Sequence, residues 1–103
     1  MVTTTIIEQY EVMYSANMFV PRIWLKSAGR FIGQLIFKPN GSALPPDNMS
    51  GTQVNLYYHL DDFDNIIDLL RNEKPMYLLW AGSGPGNENG IKTTAELVGE
   101  GET

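Results

Sequence analysis

The chain has 103 residues, of which 12 are acidic and 7 basic, with one histidine and no cysteine, so its formal charge is −5. A single domain of this length buries about two-thirds of its unfolded surface, enough for one core and a surface groove but not for two domains flanking a cleft. Disulfides, thiolate zinc sites, cysteine nucleophiles and histidine-rich metal centres are thereby excluded, and neither a cofactor nor a metal is expected.

The start of the chain carries no basic cluster, and the longest apolar run, residues 76–81, falls far short of the roughly 20 residues of a membrane span. The expectation is a cytoplasmic protein without membrane contact. Charge is unevenly placed: residues 1–46 hold four cations against two carboxylates, and residues 47–103 hold ten carboxylates against three cations.

Residues 6–14 are β-branched and aromatic with no breaker before Ser15, which predicts a first strand. Residues 19–26 and 30–38 flank Ser27-Ala28-Gly29, and a three-residue loop with glycine third predicts a hairpin. That loop sets Lys26 opposite Arg30 and gathers Phe19, Pro21, Ile23, Leu25, Phe31, Gly33, Leu35 and Phe37 on one core-facing side. Pro21 marks an edge or a bulge in the first of these strands. Residues 39–52 are dense in turn formers and predict a long connection, and 53–58 alternate as a short strand.

Leu60, Phe63, Ile66, Ile67 and Leu70 recur at spacings of three and four, which predicts one amphipathic helix. Asp61 is its expected N-cap, with acids in the first turn and Arg71 and Lys74 at the end to suit the helix dipole. Pro75 stops the helix. Residues 76–80 are apolar throughout, as in a strand covered on both faces, and 91–98 alternate like an edge strand. Residues 1–98 are expected to form the domain. Gly99-Glu100-Gly101-Glu102-Thr103 offers nothing to bury and is expected to be a flexible acidic tail. The fold class is α+β: a twisted, mainly antiparallel sheet of about six strands in the order β-β-β-β-α-β-β, open to curling toward a barrel, with one helix packed on it.

Four segments have the residue types that chemistry uses. His59 beside Tyr57 and Asp61 has the makings of a general base, but no nucleophile stands at a recognisable turn, so a hydrogen-bonded, inert histidine is preferred. Asp61, Asp62 and Asp64 lead straight into a helix, which suits capping better than a cation loop. The glycine-rich segment 82–90 is followed by a strand rather than a helix, so a hairpin connection is preferred over a phosphate loop. The fourth is the outer face of the hairpin, where Arg22, Trp24, Lys26, Arg30, Ile32, Ile36 and Lys38 are expected together.

Cations around an aromatic on a sheet face can stack single-stranded bases, but the acidic net charge weighs against nucleic acid. An exposed apolar patch more often marks a protein contact. The functional expectation is a non-enzymatic interaction domain that binds protein or self-associates as a homo-oligomer, the acidic helix of one copy suiting the basic face of another. One alternative is a small-molecule-binding domain or enzyme using His59, Asp61, Tyr57 and the 82–90 loop, if Tyr58 and Trp80 lie on neighbouring strands. The second is nucleic-acid binding through the Trp24 face.

Overall fold

The computed structural model describes residues 2–94, so the expected tail 99–103 and the end of the last predicted strand, 95–98, lie outside the described residues. The fold is α+β, with eight strands and one helix in chain order: β1 (Thr3–Ile7), β2 (Gln9–Met13), β3 (Arg22–Ser27), β4 (Arg30–Lys38), β5 (Asn48–Ser50), β6 (Gln53–His59), α1 (Phe63–Asn72), β7 (Met76–Trp80) and β8 (Gly90–Thr93). The strands form two open sheets, β2-β3-β4-β6-β5 and β1-β7-β8, in place of the single expected sheet, and neither closes into a barrel. All pairings are antiparallel except β4 with β6. No helix among the described residues is long and apolar enough to cross a membrane.

Two strands beyond the expected six arise locally. The predicted strand 6–14 is divided at Glu8, where the chain leaves β7 and takes β3 as its partner. The backbone stays extended through the change, because the Glu8 N–H bonds the Lys26 carbonyl at 2.9 Å, so no breaker residue is required. The other is β5, which folds back on β6 around Gly51 at φ 63°, inside the stretch expected to be irregular.

The hairpin of β3 and β4 departs from the expected register. Ser27 pairs with Arg30, leaving a two-residue turn in which Ala28 and Gly29 both have positive φ, 53° and 76°. This is the geometry whose twist matches that of the strands it joins. Between Leu25 and Lys26 the register slips, with Ile32 as the extra residue. The bulge restores the anticipated odd-numbered face further along, where Ile23, Leu25, Leu35 and Phe37 are fully buried. On the turn side of the bulge the faces are exchanged. Phe31 is therefore not in the core but 42% exposed, and Phe19, also expected inside, lies outside any strand and is 61% exposed. Pro21 sits just before β3, and its carbonyl accepts the Phe37 N–H at 3.0 Å. β3 is flanked on both sides rather than being an edge.

One core joins both sheets and the helix. The apolar stripe of α1 brings Ile66 and Leu70 against Leu35, Phe37 and Leu56, and Leu78 of β7 closes the cluster from the second sheet. The Phe63 ring meets Phe37 edge-on at 4.9 Å, and the Tyr58 ring stacks on Phe37 at 5.7 Å. The helix begins at Phe63 after a tight turn at Leu60–Asp62, with Asp62 at the N-cap position and no side-chain cap bond. Asp61 is not the cap, because its carboxylate is taken by Asn40. Asp64 in the first turn and Arg71 in the last still complement the helix dipole.

Burial, reinforced by the negative charges of Asp47 and Asp62, pushes the Tyr58 hydroxyl from 10.0 up to about 12. The folded state thus resists ionisation more than the unfolded chain does. This stabilising contribution is complete below pH 10 and is lost as pH rises from 10 to about 12. At about 1.4 kcal/mol per unit the loss approaches ~2–3 kcal/mol. Urea midpoints measured across that range should fall in the wild type and fall less in Tyr58→Phe.

Candidate functional site

With the helix and the second sheet on one side of β2-β3-β4-β6-β5, its other side meets residues 42–46 at His59 and Tyr57 of β6 and is open around Trp24. Even-numbered residues of β3, β4 beyond the bulge, and odd-numbered residues of β6 project there, because register partners share a face. Across its centre runs a row in register: Glu11, Trp24, Gln34, Asn55 and Asn48. The row is hydrogen-bonded in one direction. Trp24 Nε1 donates to Gln34 Oε1 at 3.2 Å, Gln34 Nε2 to Asn55 Oδ1 at 3.0 Å, and Asn55 Nδ2 to Asn48 Oδ1 at 2.8 Å. Each amide is used as acceptor and donor, so the half-buried indole is held in one orientation.

A second string follows β3. The Arg22 guanidinium lies 6.0 Å from the Phe19 ring and 5.5 Å from that of Trp24, and Trp24 meets Phe31 edge-on at 6.3 Å. Lys26 Nζ stands 4.8 Å from the Phe31 ring and pairs with Glu11 at 2.7 Å. Cations over aromatic faces are attracted by the ring quadrupole, and each such contact contributes about 0.5–1 kcal/mol where exposed. Arg22 Nε is buried and has no hydrogen-bond partner. Beside the string, a shallow depression of about 270 Å³ is bordered by Trp24, Phe31, Gly33, Gln34 and Gln53.

Of the residues expected on this face, Arg22, Trp24, Lys26, Ile36 and Lys38 are there by register. Arg30 and Ile32 are not. The turn shifts Arg30 into the row of Ser27, on the opposite face, and the bulge turns Ile32 toward the core, against which it packs. Phe31 and Phe19 take their places. The signal for Phe31 was the Ala28-Gly29 pair read as a two-residue turn; a bulge then reconciles that turn with an apolar odd-numbered face.

The His59 cluster is held otherwise. His59 Nε2 bonds the Ser42 carbonyl at 2.8 Å, so that nitrogen carries the proton. Asp61 exchanges two bonds with Asn40, its N–H to Oδ1 at 2.8 Å and its Oδ1 from Nδ2 at 2.9 Å. Both side chains thus fasten residues 40–42 to the end of β6. Tyr57 sits apart from them, under a groove of about 430 Å³ between Pro45, Pro46, Gly84 and Pro85. Tyr58 and Trp80 are in different sheets, so of the expected group Tyr57 meets the 82–90 segment, at Gly84 and Pro85, while His59 and Asp61 are bound to residues 40–42. Asp47 instead ties the two loops together: Oδ1 accepts the Tyr57 N–H at 3.2 Å and Oδ2 accepts Asn89 Nδ2 at 3.1 Å. Asn89 also accepts the Ala81 N–H at 2.7 Å and donates to the Gly82 carbonyl at 3.0 Å. The glycine-rich segment is therefore the β7–β8 hairpin connection, closed by its own amides. No group of three or more metal-ligating side chains occurs among the described residues.

Electrostatically, the molecule has two unlike sides. Lys26–Glu11 is the one ion pair among the described residues. Arg22 and Lys38 lie on the open sheet face, whereas Asp64 and Asp68 are exposed on α1, beyond the opposite face. Comparison with known proteins finds no matching family model, curated protein or solved structure.

Proposed function

We propose that the chain is a non-enzymatic interaction domain whose open sheet face around Trp24 binds an acidic protein segment. The observation that carries this reading is the string Phe19, Arg22, Trp24, Phe31 and Lys26, an aromatic and cationic strip with Phe19 and Phe31 exposed and Arg22, Trp24 and Lys26 half-buried, on a face whose indole is already oriented. Contact surfaces favour such residues, because aromatic rings supply large area at low entropic cost and arginine pairs with carboxylates in a fixed fork. His59 and Asp61 support the same reading from the other side, since both are committed to holding a loop.

Titration of the labelled protein with poly-L-glutamate, and separately with oligo(dT), followed by amide and indole NMR shifts, tests the assignment. Poly-L-glutamate should shift the Trp24 indole and the Arg22 and Gln34 amides, and Arg22→Gln should weaken the response at least fivefold. Shifts of this face with oligo(dT) alone would replace protein binding by single-stranded nucleic-acid binding, and no shift with either would discard the face as a site.

A further inference from the structure

Resting on that reading, we infer that the acidic segment is helix α1 of a second copy, and that the copies associate head to tail. The charges match in sign and spacing, with Arg22 and Lys38 half-buried, Asp64 and Asp68 exposed, and Arg71 one turn beyond Asp68 the cation that the contact leaves to solvent. On α1, Asp64 and Asp68 are exposed one turn apart, about 6 Å along the axis. On the sheet, Arg22 pairs with Ile36, and Lys38 lies two residues further along β4, which sets the two backbones about 8 Å apart. Long side chains span the difference. Neither group has an ion-pair partner within its own copy among the described residues. A helix laid on the open side would also complete the layering, since a sheet with an apolar strip on each face is stable when both are covered.

The topology dictates the kind of assembly. α1 packs on the inner face of the five-stranded sheet and the receiving strip is on its outer face, so donor and acceptor point in opposite directions. Two copies cannot satisfy both surfaces about one twofold axis. Each copy receives one helix and offers another, which produces chains or rings rather than a closed dimer.

This has a direct test in sedimentation velocity. At about 20 mM salt the wild type should show a weight-average mass that rises with concentration past the dimer, and at about 0.5 M salt it should return to monomer. Arg22→Glu with Lys38→Glu removes the receiving side, and Asp64→Lys with Asp68→Lys removes the offered side. Each double variant alone should be monomeric. Mixed, they should associate again past the dimer at low salt, because the acidic helix of one meets the basic face of the other and the reversed helix meets the reversed face. Arg22→Gln with Lys38→Gln repeats the first arm with less disturbance, and circular dichroism checks that every variant is folded. A monomeric wild type at low salt and high micromolar concentration, a mass that plateaus at dimer, or folded variants whose mixture stays monomeric would each overturn the inference. Poly-L-glutamate binding at Trp24 by a protein that remains monomeric would leave the binding face standing and remove the second copy as its partner.

Discussion

Phe37→Ala should lower stability by about 3–5 kcal/mol, the largest effect of any single truncation in this fold. Phe37 is fully buried, with the Phe63 ring edge-on at 4.9 Å and the Tyr58 ring at 5.7 Å. Its ring is therefore the point where the parallel pair β4–β6 meets the helix. Removal leaves a space bounded by two aromatic rings on different elements, neither of which can collapse into it without uncovering its own core neighbours. Domains of this size are stable by about 5–15 kcal/mol in total, so the variant retains a small margin. Urea denaturation should show a large fall in midpoint with the slope unchanged, because the same surface is exposed on unfolding. Loss of the helix signal ahead of the sheets would mean instead that α1 docks independently.

The same residue shows how much of the architecture the sequence carried. Phe37 belongs to the odd-numbered apolar set 23, 25, 35 and 37, whose period of two is preserved because residues buried on one face of a sheet cannot slip by one without exposing the whole set. The helical stripe from Leu60 to Leu70 was legible for the same reason. What pattern could not convey was partner choice. The parallel pairing of β4 with β6 and the handover at Glu8 are set by contacts between distant segments, and an extended residue reads alike whichever neighbour it bonds.

At the candidate site, legibility followed distance from the bulge. Arg22, Trp24, Ile36 and Lys38 lie where the alternation is regular, and each was placed correctly on the outer face. Arg30, Phe31 and Ile32 lie at the irregular end, where the turn and the bulge exchange the faces that alternation predicts for all three. Phe19 was misplaced for a different reason: its apolar character suggests burial, yet it lies before the strand and rests beside Arg22. A large side chain that contradicts its burial expectation is itself a pointer to a contact surface.

Gly33→Ala should destabilise the protein by about 3 kcal/mol, the second largest effect expected. The glycine faces the core from β4, and a Cβ there would stand 2.7 Å from the Val54 carbonyl oxygen and 3.2 Å from Leu78 Cδ2. The two collisions differ in kind. Leu78 ends in a rotatable methyl and can yield by a few tenths of an ångström, whereas the Val54 oxygen belongs to the backbone of the parallel partner strand. Relief therefore requires β4 and β6 to separate, which weakens the ladder beneath the open face. If the backbone contact dominates, combining Gly33→Ala with Leu78→Ala gives no rescue, and the double variant loses at least the sum of the two single losses. If the methyl contact dominates, the new alanine partly fills the space that Leu78 vacates and the double variant is more stable than that sum. A thermal melt of all three distinguishes the cases, with a drop of about 4–8 °C expected for each kcal/mol lost in a domain of this size.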